Sequence, residues 1–193
     1  MIKAVIFDCF GVLTTDNWQK FLSSLPEEAD LESAREAHRA YDKGLLSKQE
    51  AAEQIQAATG KSFTEIDDAS NDEIVKNTPL LEYVRELHQE GYKTSILSNV
   101  ASNWIREQLL TPDEQAYFDD FLLSHEVGLT KPDPRMFKLA AERLDIELQK
   151  AVLVDDKESY CTAARELGMQ VVWYQDFKQM KAELKQLLAD AKR

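Results

Sequence analysis

Short apolar runs alternate with amphipathic stretches along most of this chain. Residues 2–7 are apolar apart from one lysine and rich in β-branched side chains, as suits a buried strand of a parallel sheet. Runs of the same kind recur at residues 92–97, 121–123, 151–154 and 170–174. Between them, Leu80, Val84 and Leu87 form one helical stripe, Met136, Leu139, Ala140 and Leu144 a second, and Ala163, Ala164 and Leu167 a third. Gly91 and Gly168 stand where helix ends call for a left-handed residue. Strand alternating with helix predicts an α/β fold, a three-layer parallel sheet with right-handed crossovers. Residues 177–192 read as an amphipathic terminal helix packed on that sheet.

Residues 14–78 break the rhythm. They read as wholly helical, with capping boxes at Ser47/Glu50 and Ser62/Glu65 and no strand. A helical insert directly after the first strand, with the α/β pattern resuming at Pro79, predicts two units. These are a Rossmann-like core of residues 1–13 and 79–193 and a helical cap domain of residues 14–78.

Composition narrows the partners. The 193 residues carry 23 basic and 35 acidic side chains, a formal net charge of −12. Such a surface repels phosphate backbones, so no nucleic-acid role is expected. Two cysteines, Cys9 and Cys161, are too few for a disulfide framework. No segment has the apolar length to span a bilayer, and the opening run stops at Asp8 without a signal-peptide pattern. The expectation is a cytoplasmic protein without a membrane partner, a monomer or weak homodimer.

In open parallel sheets, ligands bind beyond the carboxyl ends of the strands. Three of those ends carry polar residues: Asp8 after residues 5–7, Ser98 and Asn99 after 95–97, and Asp155 and Asp156 after 152–154. Lys131 adds a cation within Gly-Leu-Thr-Lys-Pro-Asp-Pro. Any one of these is an ordinary turn residue; the combination is not. Neighbouring carboxylates stay ionised together only beside a cation, and an all-oxygen donor set favours Mg²⁺ over zinc. A metal so held can neutralise a phosphate dianion and let a carboxylate approach phosphorus. In this reading Asp8 attacks and forms an acyl phosphate, Lys131 holds Asp8 and the phosphoryl group, and Ser98 donates to a phosphoryl oxygen.

These residues resemble the haloacid dehalogenase superfamily over essentially the whole chain. Phe7-Asp8-Cys9-Phe10-Gly11-Val12-Leu13 is similar to its first motif, Leu97-Ser98-Asn99 to the second, Lys131-Pro132 to the third and Val154-Asp155-Asp156 to the fourth. The resemblance implies that Asp8 is the nucleophile and that Ser98, Asn99 and Lys131 bind substrate. It further implies that Asp8, the backbone carbonyl of Phe10, Asp155 and Asp156 hold Mg²⁺. Asp-Lys-Gly-Leu-Leu-Ser and Gly-Leu-Thr-Lys-Pro-Asp-Pro-Arg-Met-Phe resemble the small bacterial sugar-phosphate phosphatases. The implied substrate is a small phosphorylated metabolite.

One position departs from the pattern. Most phosphatases of the superfamily carry an acid two residues after the nucleophile, where this chain has Phe10, which cannot transfer a proton. Metal-free haloacid dehalogenases carry an aromatic residue there but usually lack the paired acids. The pair Asp155 and Asp156 therefore favours the phosphatase branch. A metal-free dehalogenase, a hydrolase of acyl phosphates and a non-catalytic anion- or metal-binding protein stand as the alternatives. Cys9 has no arginine at the spacing of a cysteine phosphatase, and Ser98 lacks the Gly-x-Ser-x-Gly elbow. His88 and His125 read as surface or loop residues. His38, with Arg35, Arg39 and Tyr41, is a candidate for facing the substrate from the cap, whereas Trp18 reads as core packing.

Overall fold

The five apolar runs become the strands of one sheet. The computed structural model describes residues 1–61 and 74–190. Within them β1 (Ala4–Phe7), β2 (Lys93–Ser98), β3 (Asp120–Leu123), β4 (Ala151–Asp155) and β5 (Gln170–Trp173) pair in the order β3-β2-β1-β4-β5, every pair parallel. The chain builds outward from β1 to β3, then returns to the other side of β1 to build β4 and β5. The order reverses at β1, so its carboxyl end opens into the crevice where such sheets bind ligands.

The helices number α1 (Asn17–Ser23), α2 (Leu31–Asp42), α3 (Lys48–Thr59), α4 (Thr78–Gln89), α5 (Pro112–Gln115), α6 (Ser124–Val127), α7 (Pro134–Arg143), α8 (Glu158–Glu166) and α9 (Phe177–Asp190). Period-two alternation splits β1 between two faces. Val5 and Phe7 pack with Leu80, Val84 and Leu87 of α4 and with Met180 and Leu184 of α9. Ala4 and Ile6 pack with Met136, Phe137 and Ala140 of α7 and Ala164 of α8. Helices on both faces give the expected three layers and bury β1 completely.

The helical insert, α1 to α3, closes on its own apolar cluster, in which Phe21, Leu22, Ala37 and Ile55 are joined by Trp18, Leu25, Leu31 and Tyr41. The Ser47/Glu50 capping box forms, with the Ser47 amide donating to Glu50 Oε2 at 2.8 Å. The Ser62/Glu65 box lies outside the described residues. The chain enters and leaves the insert at one place: Thr14 bridges antiparallel to Lys76. Beside it the Asn77 amide donates to the Leu13 carbonyl at 2.8 Å and Asn77 Nδ2 to the Val12 carbonyl at 2.9 Å. A second tie joins the far end of α2 to the core, where Ser124 Oγ donates to the Asp42 carbonyl at 2.5 Å.

Candidate active site

β1 is apolar through Phe7, and its ladder runs one residue further, with the Asp8 amide donating to the Val154 carbonyl at 2.9 Å. Asp8 is thereby fixed at the switch point, 4% exposed. The next amide turns back on it, Cys9 N donating to Asp8 Oδ1 at 2.6 Å. Gly11 follows at φ +85°, and a Cβ there would stand 2.4 Å from Asp156 Oδ2. Only a glycine leaves room for that carboxylate.

Lys131, 1% exposed, is wedged between two acids, with Nζ 2.9 Å from Asp8 Oδ1 and 2.6 Å from Asp155 Oδ2. Its backbone is clamped by Asn99: the Lys131 amide donates to Asn99 Oδ1 at 2.8 Å, and Asn99 Nδ2 donates to the Lys131 carbonyl at 3.1 Å. The second Asp155 oxygen accepts from the Lys157 amide at 2.9 Å. Ligand atoms of Asp8, Asp155 and Asp156 lie within 4.8 Å of one another. Asp156 Oδ1 and Ser98 Oγ are buried with no hydrogen-bond partner among the described residues.

Burial pushes the Asp8 carboxyl up to about 7 against the pull of Lys131. Burial and then the Asp8 charge push Asp156 up to about 6. Burial alone would cost Lys131 its proton, but Asp155 and Asp8 outweigh it and hold the ammonium above its usual range. That ammonium stands nearer to Asp155, which leaves Asp8 under-compensated. With all three carboxylates ionised, the one ammonium between them leaves two negative charges, the complement of a divalent cation. The donor set fits a hard ion: all oxygen, one donor orphaned, and the adjacent backbone cleared by Gly11.

A cleft of about 1090 Å³ opens beside this site, lined by Asn99, Lys157 and Tyr160 from the core and by the helical insert. Phe10 lines it, half-buried and stacked on Trp104 with ring centroids 5.7 Å apart. Arg35, His38, Arg39 and Tyr41 line it from α2. Trp18 lines it as well while packing in the insert's core, and its ring lies 4.0 Å from that of His38, so it serves both roles. His125 is turned away, its Nδ1 3.1 Å from the Val100 carbonyl, and His88 sits 3.4 Å from Asp119. Cys9 is fully buried, and burial with the Asp8 charge raises its thiol well above the usual range.

Three residues gain a place that sequence reasoning did not give them. Lys157 Nζ lies 3.3 Å from Asp16 Oδ2, and Asp16 also caps α1 by accepting from the Gln19 amide at 3.1 Å. Tyr160 receives a bond from Asn99 Nδ2 at 3.4 Å and faces Lys131 at 5.3 Å from its ring centroid. The only signal for Lys157 and Tyr160 was their position just past Asp156, at the start of a helix that the apolar stripe begins later.

A family model for haloacid dehalogenase-like hydrolases matches residues 2–168. The chain is 30% identical over 101 residues to the glyceraldehyde 3-phosphate phosphatase of Pyrococcus furiosus, a match covering 51% of this chain and 41% of that protein. It is 22% identical to the phosphorylated carbohydrates phosphatase of Thermotoga maritima, covering 89% and 84%. Against curated relatives at 28% to 31% identity, the chain covers only 10% to 41% of their length. Among solved structures, a family enzyme from Bacteroides thetaiotaomicron in complex with magnesium and inorganic phosphate superposes with a TM-score of 0.63. That enzyme is 26% identical, with 91% of this chain and 95% of that chain covered.

Proposed function

The chain belongs to the haloacid dehalogenase-like hydrolase family, and from that premise we propose that it hydrolyses small phosphomonoesters, sugar phosphates among them, with Mg²⁺ and through an aspartyl phosphate on Asp8. The observation that carries this reading is the orphaned, buried Asp156 oxygen beside an under-compensated Asp8. Metal-free dehalogenases usually lack the paired acids, and burying such an oxygen without a partner is costly. The relatives named for phosphorylated substrates, and the neighbour crystallised with magnesium and phosphate, support the same branch.

Asp8, Asp156 and the carbonyl of Phe10 would hold the ion. When bound, it neutralises phosphoryl charge and so lets an anionic nucleophile approach. The remaining work falls to the chain. Lys131 aims Asp8 and pulls against the cost of burying its charge, and Asp155 and Asn99 hold Lys131 from its two ends. Ser98 Oγ offers a buried donor to a phosphoryl oxygen. Asp8 Oδ attacks phosphorus and the ester oxygen leaves; water then attacks phosphorus and restores the carboxylate. Asp155 acts as a positioning residue, since both of its oxygens are already engaged. Residues 14–78 serve as the cap that closes over the substrate.

The test is phosphate release from a panel of metabolite phosphomonoesters, with Mg²⁺ and with EDTA, for wild type and Asp8→Asn. Metal-dependent turnover that falls by several orders of magnitude in Asp8→Asn is expected. Halide release from haloacids that survives EDTA, or an active Asp8→Asn protein, would overturn the reading.

A further inference from the structure

Phe10 leaves the departing oxygen without the proton donor that its position would otherwise supply, and the cleft offers one on the wall that α2 builds. His38 and Phe10 line the same cleft. His38 Nδ1 lies 3.3 Å from Asp42 Oδ2, one helical turn on, and Asp42 is 7% exposed. The imidazole lies flat on Trp18, the ring planes 10° apart. Asp42 is not free to wander, because its carbonyl accepts from Ser124 Oγ, which also accepts from the Val100 amide just past Asn99. The pair is thus tied to the same strand end that carries Ser98.

We propose that His38 and Asp42 form an acid–base pair that supplies the leaving-group proton across the cleft, in place of the acid missing at Phe10. The proposal rests on the phosphatase reading and goes beyond it. His38 Nδ1 faces the carboxylate, which leaves Nε2 as the atom that exchanges protons and lets Asp42 hold the ring in place. In the first half-reaction the bond from phosphorus to the ester oxygen breaks as the Asp8 Oδ–phosphorus bond forms, and the proton on Nε2 passes to the leaving oxygen. In the second, a water oxygen bonds phosphorus, the Asp8–phosphorus bond breaks, and the water proton returns to Nε2. Protons and charge balance over the cycle.

The other groups lining the cleft suit this task less well. Arg135 hydrogen bonds hold the Asp133 carboxyl down at about 2. Asp16 faces Lys157 and caps α1. Burial raises the phenols of Tyr41 and Tyr160, so neither gives up its proton readily near neutrality. Arg35 and Arg39 flank His38 on α2 and line the cleft; as permanent cations they hold an anionic substrate but do not act as proton donors near neutrality. The competing account is a plain i,i+4 ion pair that steadies α2, worth a few tenths of a kcal/mol.

The test is a set of kcat/KM values over phosphomonoesters running from aryl to alkyl leaving groups, for wild type, His38→Gln and Asp42→Asn, with Mg²⁺ present. His38→Gln should slow the alkyl esters by about 10²–10⁴-fold, the loss shrinking as the leaving group becomes more acidic. Asp42→Asn should fall in the same order by a smaller factor, and His38→Gln stands alone if that buried substitution does not fold. A uniform loss across the series, or an unchanged slope, overturns the pair and leaves the phosphatase reading intact. A wild type inactive on the whole series overturns the phosphatase reading and the pair with it.

Discussion

A lysine ammonium 1% exposed between two carboxylates has no water to replace a lost partner. Lys131→Met keeps the length of the side chain and strands Asp8 and Asp155 as like charges in the interior. We expect a stability loss of about 3–5 kcal/mol in the metal-free protein, read from urea unfolding; a loss below 1 kcal/mol, on the order of an exposed pair, would show that water reaches the site. The neighbouring acids make a second prediction. Asp8 and Asp156 are held at about 7 and about 6, so the metal-free fold gathers protons there as the pH falls through those values. A cation needs both ionised. Mg²⁺ affinity should therefore climb between about pH 5.5 and pH 7.5, with protons released on binding, measured by calorimetry in buffers of different ionisation enthalpy. A flat profile would remove these carboxylates from the metal site. Asp8, Ser98, Lys131, Asp155 and Asp156 were visible in the sequence because each ends an apolar run or sits in a distinctive string. The clamp of Asn99 on the Lys131 backbone was not visible, since an amide that binds substrate and one that grips a loop look alike in sequence.

At the level of elements, the turn after β1 holds the most tightly hemmed of the glycines. Gly11→Ala would combine an unfavourable φ with a methyl 2.4 Å from Asp156 Oδ2. The expected outcome is a fold retained by circular dichroism with Mg²⁺ affinity down by about 10–100-fold, the usual effect of disturbing what holds a ligand. Unchanged affinity would mean that Asp156 has another place to stand. The strands were legible because a parallel sheet covered on both faces demands unbroken apolar runs. The π-helical turn Ile105–Leu109 and the Thr111/Glu114 capping box before α5 were not picked out. Their apolar spacing suits an ordinary helix, and a single turn is too short for periodicity to register. The same limit applied to the wall of the cleft, where a stripe of Arg35, His38 and Arg39 reads equally well as a solvated face.

Taken whole, the molecule carries a net charge of −12 yet gathers Arg35, Arg39, Lys43, Lys48 and Lys157 around one cleft, against the three aspartates Asp16, Asp42 and Asp133. Anions are repelled by most of the surface and drawn to that opening, which focuses binding there. Among the described residues no helix is long and apolar enough to cross a membrane. The two apolar faces of the sheet and the insert's cluster are separate, so the sheet does not depend on the insert for its core. A chain with residues 16–74 replaced by a short glycine link should still unfold cooperatively and bind Mg²⁺, by thermal melts and calorimetry; a chain without a cooperative melt would show that the insert completes the core. The geometry behind that expectation is the bridge between Thr14 and Lys76. Where the departing and returning segments already touch, the length of what is strung between them matters little: doubling it adds only about 0.6 kcal/mol to closing the loop. If the insert selects the substrate as proposed, that segment can be lengthened, shortened or exchanged without moving Asp8 or Lys131, so specificity and reactivity are free to evolve on separate clocks.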